Sequence, residues 1–134
     1  MVDESQMTMD AVITWLRERH RAVMAAEQAA LACLDKGDTT GHSAKMHEKA
    51  RLLESMCEDA RPVLAGLPGP LRAQIALGLD RFSGSAHMGL KLKSLFYMSA
   101  LLYRDDHKPG EPDNLQVFIE RLEREGTTFG GDDA

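Results

Sequence analysis

The chain has 134 residues, a formal net charge of −5, 43% hydrophobic residues and 28% charged residues. That length supports one domain whose core needs no disulfide or metal staple, and the composition excludes a disordered chain. The acidic balance excludes a nucleic-acid binder built on a basic stripe, so the mild excess at Lys91, Lys93, Arg104 and Lys108 reads as a solvated face.

Leu, Ala and 8 Met supply most of the apolar volume. Val2, Val12, Ile13, Val23, Val63, Ile75, Val117 and Ile119 are all of the Val and Ile present, so the sequence predicts an all-α protein. The first ten residues are polar and acidic and read as neither a signal nor a transit peptide. The longest apolar run, Ser94 to Tyr103, is too short to span a bilayer, and a cytoplasmic location is expected.

The first helix is predicted from Thr8 to Lys36, with Met9, Val12, Leu16, Val23, Ala30 and Leu34 on one face and Gly37 as its stop. The second runs from Thr40 to Leu64. Its apolar residues Met46, Ala50, Leu53, Cys57, Ala60 and Leu64 alternate steps of four and three, a seam that requires a facing helix, and Pro62 is expected to kink or end it. The stretch from Ala65 to Pro70 breaks the chain, and Pro70 opens a third helix carrying Leu71, Ile75, Leu79, Phe82 and Ala86. The stripe loses register between Ser83 and Gly89 and resumes at Met88, Leu92, Leu95 and Leu102. With no proline between, one bent helix to about residue 104 is expected, its small residues allowing another helix to approach. Ser94 to Tyr103 is apolar nearly all round and is either central in the bundle or covered by a second subunit, the second being favoured for so short a chain.

Residues 105–113 form a polar loop. A short amphipathic helix from Pro112 to Glu125 presents Leu115, Phe118, Ile119 and Leu122, and either packs on its own bundle or docks on a partner. Residues 127–134 read as a frayed tail. The fold expected is therefore an antiparallel bundle of three long helices plus a short C-terminal amphipathic helix, a single domain with its core in residues 8–104.

Short turns make consecutive helices antiparallel, which fixes who can meet whom. Residues of the first two helices summing to about 78 share a level, placing His20 near Cys57 and Glu58, and Glu27 near Arg51. Sums near 136 relate the second and third, placing His87 near Lys49 and His47. Cys33 and Cys57 then lie ~18 Å apart, too far for a disulfide. No Glu-x-x-His is present, His42 and His47 point ~140° apart on their helix, and His20 with Cys57 offers two ligands where zinc wants three or four. His20 is expected to bond Glu58 or Glu27. No metal, cofactor or catalytic residue is predicted; Gly84 to Gly89 lacks the Lys-Ser/Thr of a phosphate loop.

The layout from Met9 to Tyr103 resembles the flagellar export chaperones of the FlgN type. The residues that carry it are Leu34-Asp-Lys-Gly-Asp38 at the first turn and His47-Glu-Lys-Ala-Arg-Leu-Leu-Glu54 in the second helix; Met88-Gly89 stands where the family carries Asn-Gly. The resemblance implies a non-enzymatic protein that holds the amphipathic helix of an export substrate. The sequence thus predicts a protein-binding module, homodimeric, with Leu92, Leu95, Phe96, Leu102, Leu115, Phe118, Ile119 and Leu122 as partner-binding residues and neither nucleic acid nor a membrane span involved. The alternatives are a structural or regulatory homo-oligomer without a client, and a metal- or redox-dependent bundle using His20 and Cys57.

Overall fold

Apolar stripes at helical spacing dictate which faces meet, and in the computed structural model, which describes residues 4–130, they form α1 (Glu4–Asp35), α2 (Thr39–Glu54), α3 (Met56–Leu64), α4 (Gly69–Leu92), α5 (Leu95–Ala100) and α6 (Asn114–Glu125). A 3-10 turn, Gly126–Thr128, follows, and no strand occurs among the described residues. The protein is all-α. The α1 stripe of Met9, Val12, Leu16, Val23 and Ala30 is fully buried, and so are Ala50, Leu53, Ile75, Leu79 and Ala86 from the facing helices.

The first turn works through Gly37, whose φ of +76° a side chain would disfavour, and through Asp38, whose carboxylate accepts the Gly41 N–H at 2.8 Å. α2 and α3 then run back along α1, with Arg19 reaching Asp59 at 2.9 Å and Glu27 reaching Lys49 at 2.8 Å, close to the expected register. α4 returns along α2 and α3.

The expected single second helix is interrupted at Ser55 rather than at Pro62. Two neighbours take over its backbone. Ser83 of α4 is buried, and its hydroxyl donates to Leu53 O at 2.9 Å while accepting the Cys57 N–H at 3.2 Å, standing between two groups that would bond each other in an unbroken helix. From the opposite side Arg19 donates to Leu52 O at 2.8 Å. A side chain inserted into the hydrogen-bond ladder is a recognised cause of a kink, and here the kink is clamped by α1 and α4 together.

The expected single helix from Pro70 to about residue 104 is two helices. Lys93 adopts a left-handed φ of 53°, the Ser94 N–H returns to Gly89 O at 3.2 Å, and the Ser94 hydroxyl caps α5 by accepting the Tyr97 N–H at 3.0 Å. The chain doubles back closely enough that a Cβ on Gly89 would stand 3.0 Å from the Tyr97 ring. Met98, Leu101 and Leu102 of the apolar run are thereby buried within the chain's own core, while Phe96 stays exposed. The expected frayed tail is also corrected over residues 127–130, where Phe129 is buried against Phe118. Residues 131–134 lie outside the described part.

Replacing Ser83 with Ala strands the Leu53 carbonyl and the Cys57 N–H in the core. Chemical denaturation of Ser83→Ala is expected to show a loss of ~1–3 kcal/mol, the cost of buried polar groups left unpaired.

Candidate functional site

The eight residues expected to bind a partner divide into two groups. Leu102, Leu115, Ile119 and Leu122 are buried, and Phe118 is half-buried with its ring edge-on to Phe82 at 5.8 Å. The reason is that α6 packs on its own bundle: Asp113 caps it by accepting the Gln116 N–H at 2.9 Å, Asn114 N–H binds Leu102 O at 2.8 Å, and Arg17 pairs with Glu123. Leu95 is half-buried. Leu92 and Phe96 face outward, at 59% and 85% exposure, beside Met88. Four residues of chain reach at most ~14 Å, which bounds the separation of the Leu92 and Phe96 backbones.

Behind this corner lies a buried polar cluster. Lys49 is fully enclosed, and its ammonium donates to Glu27 Oε1 at 2.8 Å and to Ser99 O at 3.2 Å, with the Tyr103 ring centroid 5.2 Å away. Tyr103 donates its hydroxyl to Glu27 Oε2 at 2.5 Å. Among the described residues no buried side-chain nitrogen or oxygen lacks a hydrogen-bond partner. Glu27 and Tyr103 also line a shallow cleft of about 490 Å³ with Leu31, Met46 and His107.

Burial pushes the Lys49 ammonium below its ordinary pKa, opposed by its hydrogen bond to Glu27 and by the charges of Glu27 and Asp113. Burial pushes the Tyr103 hydroxyl up, reinforced by the same two carboxylates, so it stays a donor. Asp113 is buried too, which alone would raise its carboxyl. His20 Nε2, donating at 2.7 Å, and the N–H groups of Gln116 and Leu115 outweigh burial and hold it below 3.8.

His20 therefore pairs with Asp113 rather than with Glu58 or Glu27, and Glu27 pairs with Lys49 rather than with Arg51. His87 Nδ1 donates to Glu54 at 2.7 Å instead of sitting by Lys49. Cys57 Sγ contacts Ala76 O at 3.6 Å, and burial raises its thiol, with Asp80 adding to the shift; it is not joined to His20. Among the described residues no three His, Cys, Asp or Glu side chains gather as metal ligands, and both cysteines are free thiols. No helix among the described residues is long and apolar enough to cross a membrane.

No family model, curated protein or solved structure matches this chain.

The function of each group must accordingly be read from its own chemistry. The sequence places Lys49 only as a neighbour of His87, although its position carries a signal of burial: it stands three residues after Met46 and four before Leu53, on the seam itself. Glu27 stands four after Val23 and three before Ala30, on the facing stripe at the same level.

Asp113 sets a pH dependence. Its folded-state pKa is depressed, so the stability it contributes is present above 3.8 and lost as pH falls through the folded value. Asp113→Asn keeps the helix cap but removes the charge that His20 binds. Urea denaturation across about pH 5 to 2 is expected to show a shallower acid decline for Asp113→Asn than for the parent chain.

Proposed function

We propose that this chain is a non-enzymatic helical protein-binding module that holds an amphipathic helix of a partner protein on the corner between α4 and α5. The supporting observation is Phe96, 85% exposed at the start of α5, with Leu92 and Met88 also exposed at the end of α4, in a chain whose other three phenylalanines are buried or half-buried. Aromatic anchors carry most of the affinity where one protein docks on another, and Met and Leu adapt to varied apolar faces. The exposed Lys91 and Lys93 give the patch a basic rim suited to acidic residues flanking a partner's apolar stripe.

A non-enzymatic reading agrees with the chemistry of the groups that could react. The Cys57 thiol is disfavoured as thiolate by burial, and the Lys49 ammonium is enclosed on all sides. The resemblance to flagellar export chaperones suggests the kind of partner, an export substrate kept from premature assembly. In this reading α6 is part of the bundle and Leu92, Phe96 and the adjoining Leu95 are the contact residues.

The test compares the parent chain with Leu92→Glu/Phe96→Glu in affinity capture from a native extract, the captured segments being mapped by cross-linking. The reading expects a protein bound through an amphipathic helix and at least about tenfold less of it on the variant, which keeps its fold because both positions are exposed. Equal capture by both proteins would contradict it. So would a purified chain that is dimeric and becomes monomeric in the variant, which would assign the corner to self-association.

A further inference from the structure

The helix α4 carries a second stripe, opposite the one that builds the core. Gln74, Leu77, Arg81, Ser85, Met88 and Leu92 follow one another at steps of three and four residues, and all of them are exposed. Ile75, Leu79, Phe82 and Ala86 lie on the other side of the same helix and pack inward. A helix with apolar residues on two faces has one face more than its own bundle uses. From Leu77 to Leu92 the stripe runs ~22 Å, about four helical turns.

Three observations point to what covers it. The first is depth. Gln74, Leu77, Arg81 and Ser85 line one side of a cleft of about 560 Å³ between α4 and α6, with Phe118 on the other. A Cβ on Gly78 would collide with the Phe118 ring, and Phe82 meets that ring edge-on at 5.8 Å, so the interior of the cleft is aromatic. The second is clearance. Gly84 stands in the middle of the stripe, where glycine weakens a helix. A Cβ there would meet nothing within 4 Å, so no described neighbour requires a glycine at this position. With Ser85 beside it, the centre of the stripe is low enough for another helix to approach closely. The third is charge. The chain carries a net charge of −5, yet the stripe holds no carboxylate. Arg81 makes no ion pair or hydrogen bond with another described residue. Asp80, one residue earlier, points ~100° away around the helix. Arg121, across the cleft, is already paired with Glu125 at 2.7 Å, so the cation left for a partner is that of Arg81.

We propose that the partner's helix lies along this stripe for about four turns, an acidic residue of it paired with Arg81 and a large apolar side chain of it in the cleft against Phe82 and Phe118. The path rests on the helix-holding function proposed above and extends it from the α4–α5 corner to the length of α4. Leu77, Met88 and Leu92 meet the partner's apolar stripe, and Gly84 and Ser85 set the closest approach. A guanidinium offers paired N–H groups that match the two oxygens of a carboxylate, and the leucine and methionine on either side keep water from the pair. A basic helix would face Arg81 with a like charge and is refused.

The experiment is an amide NMR titration of the full chain with a synthetic 18-residue helical peptide, leucine recurring at alternating steps of about three and four residues and glutamate flanking each leucine. A counterpart carries lysine in place of every glutamate. The glutamate peptide is expected to give saturable shifts at Leu77, Gly84 and Met88 as well as at Leu92, and the lysine peptide to bind at least about tenfold more weakly. Arg81→Gln is expected to weaken the glutamate peptide by about tenfold with an otherwise native spectrum, since Arg81 has no described partner to lose. Gly84→Gln, which favours α4 and adds bulk at the closest approach, is expected to weaken it at least as much. Shifts confined to Leu92 and Phe96 would overturn the path and leave the corner as the binding site. Phe96→Glu binding the peptide as tightly as the parent chain would contradict the corner reading, and the path with it. Equal binding of the two peptides, unchanged affinity in both Arg81→Gln and Gly84→Gln, or no saturable shift up to about 1 mM glutamate peptide would also overturn the path.

Discussion

A lysine ammonium closed inside a helical bundle has to be neutralised where it stands, and the arrangement of this chain is organised around doing so. Lys49 of α2 is wholly buried, and Glu27 of α1 is the counter-charge. Glu27 has two oxygens to satisfy and Lys49 has three N–H groups, so the pair needs partners beyond itself. They come from the far end of the apolar run: Ser99 supplies a carbonyl and Tyr103 a hydroxyl and a ring face. Delivering those groups requires the chain to leave the axis of α4, and the left-handed turn at Lys93 with its Ser94 cap is how it does so. A straight helix from Pro70 to residue 104 would carry Ser99 and Tyr103 away from Lys49.

The same economy of polar groups governs the middle of the bundle. The kink at Ser55 exposes backbone groups of Leu52, Leu53 and Cys57 to the interior, and Arg19 and Ser83 bind them from α1 and α4. Asp113 caps α6 and at once holds His20 of α1. Each departure from regular helix is thus also a tie between helices, and the bundle gains a fixed register that apolar packing of Leu, Met and Ala would specify less sharply. One consequence reaches the surface: the turn that carries Tyr103 inward turns Phe96 outward, so the exposed corner is a product of the buried pair.

How much of this was legible in the sequence depended on the range of the interaction. The stripes of α1, α2 and α4, the turn at Gly37 and the antiparallel levels are local or near-local signals, and Glu27 with Lys49 and Arg19 with Asp59 fall within two of the expected sum. Lys49 itself was legible from its place on the seam, but a charged residue is conventionally assigned to the surface, which hid it. The break at Lys93 was hidden because Lys gives no sign of a left-handed conformation. The kink at Ser55 depends on Ser83, nearly thirty residues away, and Tyr103 and Asp113 meet α1 across still longer separations, none of which periodicity reports. For the candidate surface, amphipathicity marked α6 as readily as the corner at Leu92 and Phe96, since a face that packs internally and one that docks externally look alike in sequence.

Buried ion pairs are not automatically stabilising, and what distinguishes an organising pair is the cost of breaking it one-sidedly. Denaturation of Lys49→Met beside Glu27→Gln/Lys49→Met measures that cost directly. The single variant leaves an uncompensated carboxylate in the core and is expected to lose ~3–5 kcal/mol, while the double variant recovers most of the loss. A Lys49→Met protein as stable as the parent chain would contradict the claim that this pair sets the fold.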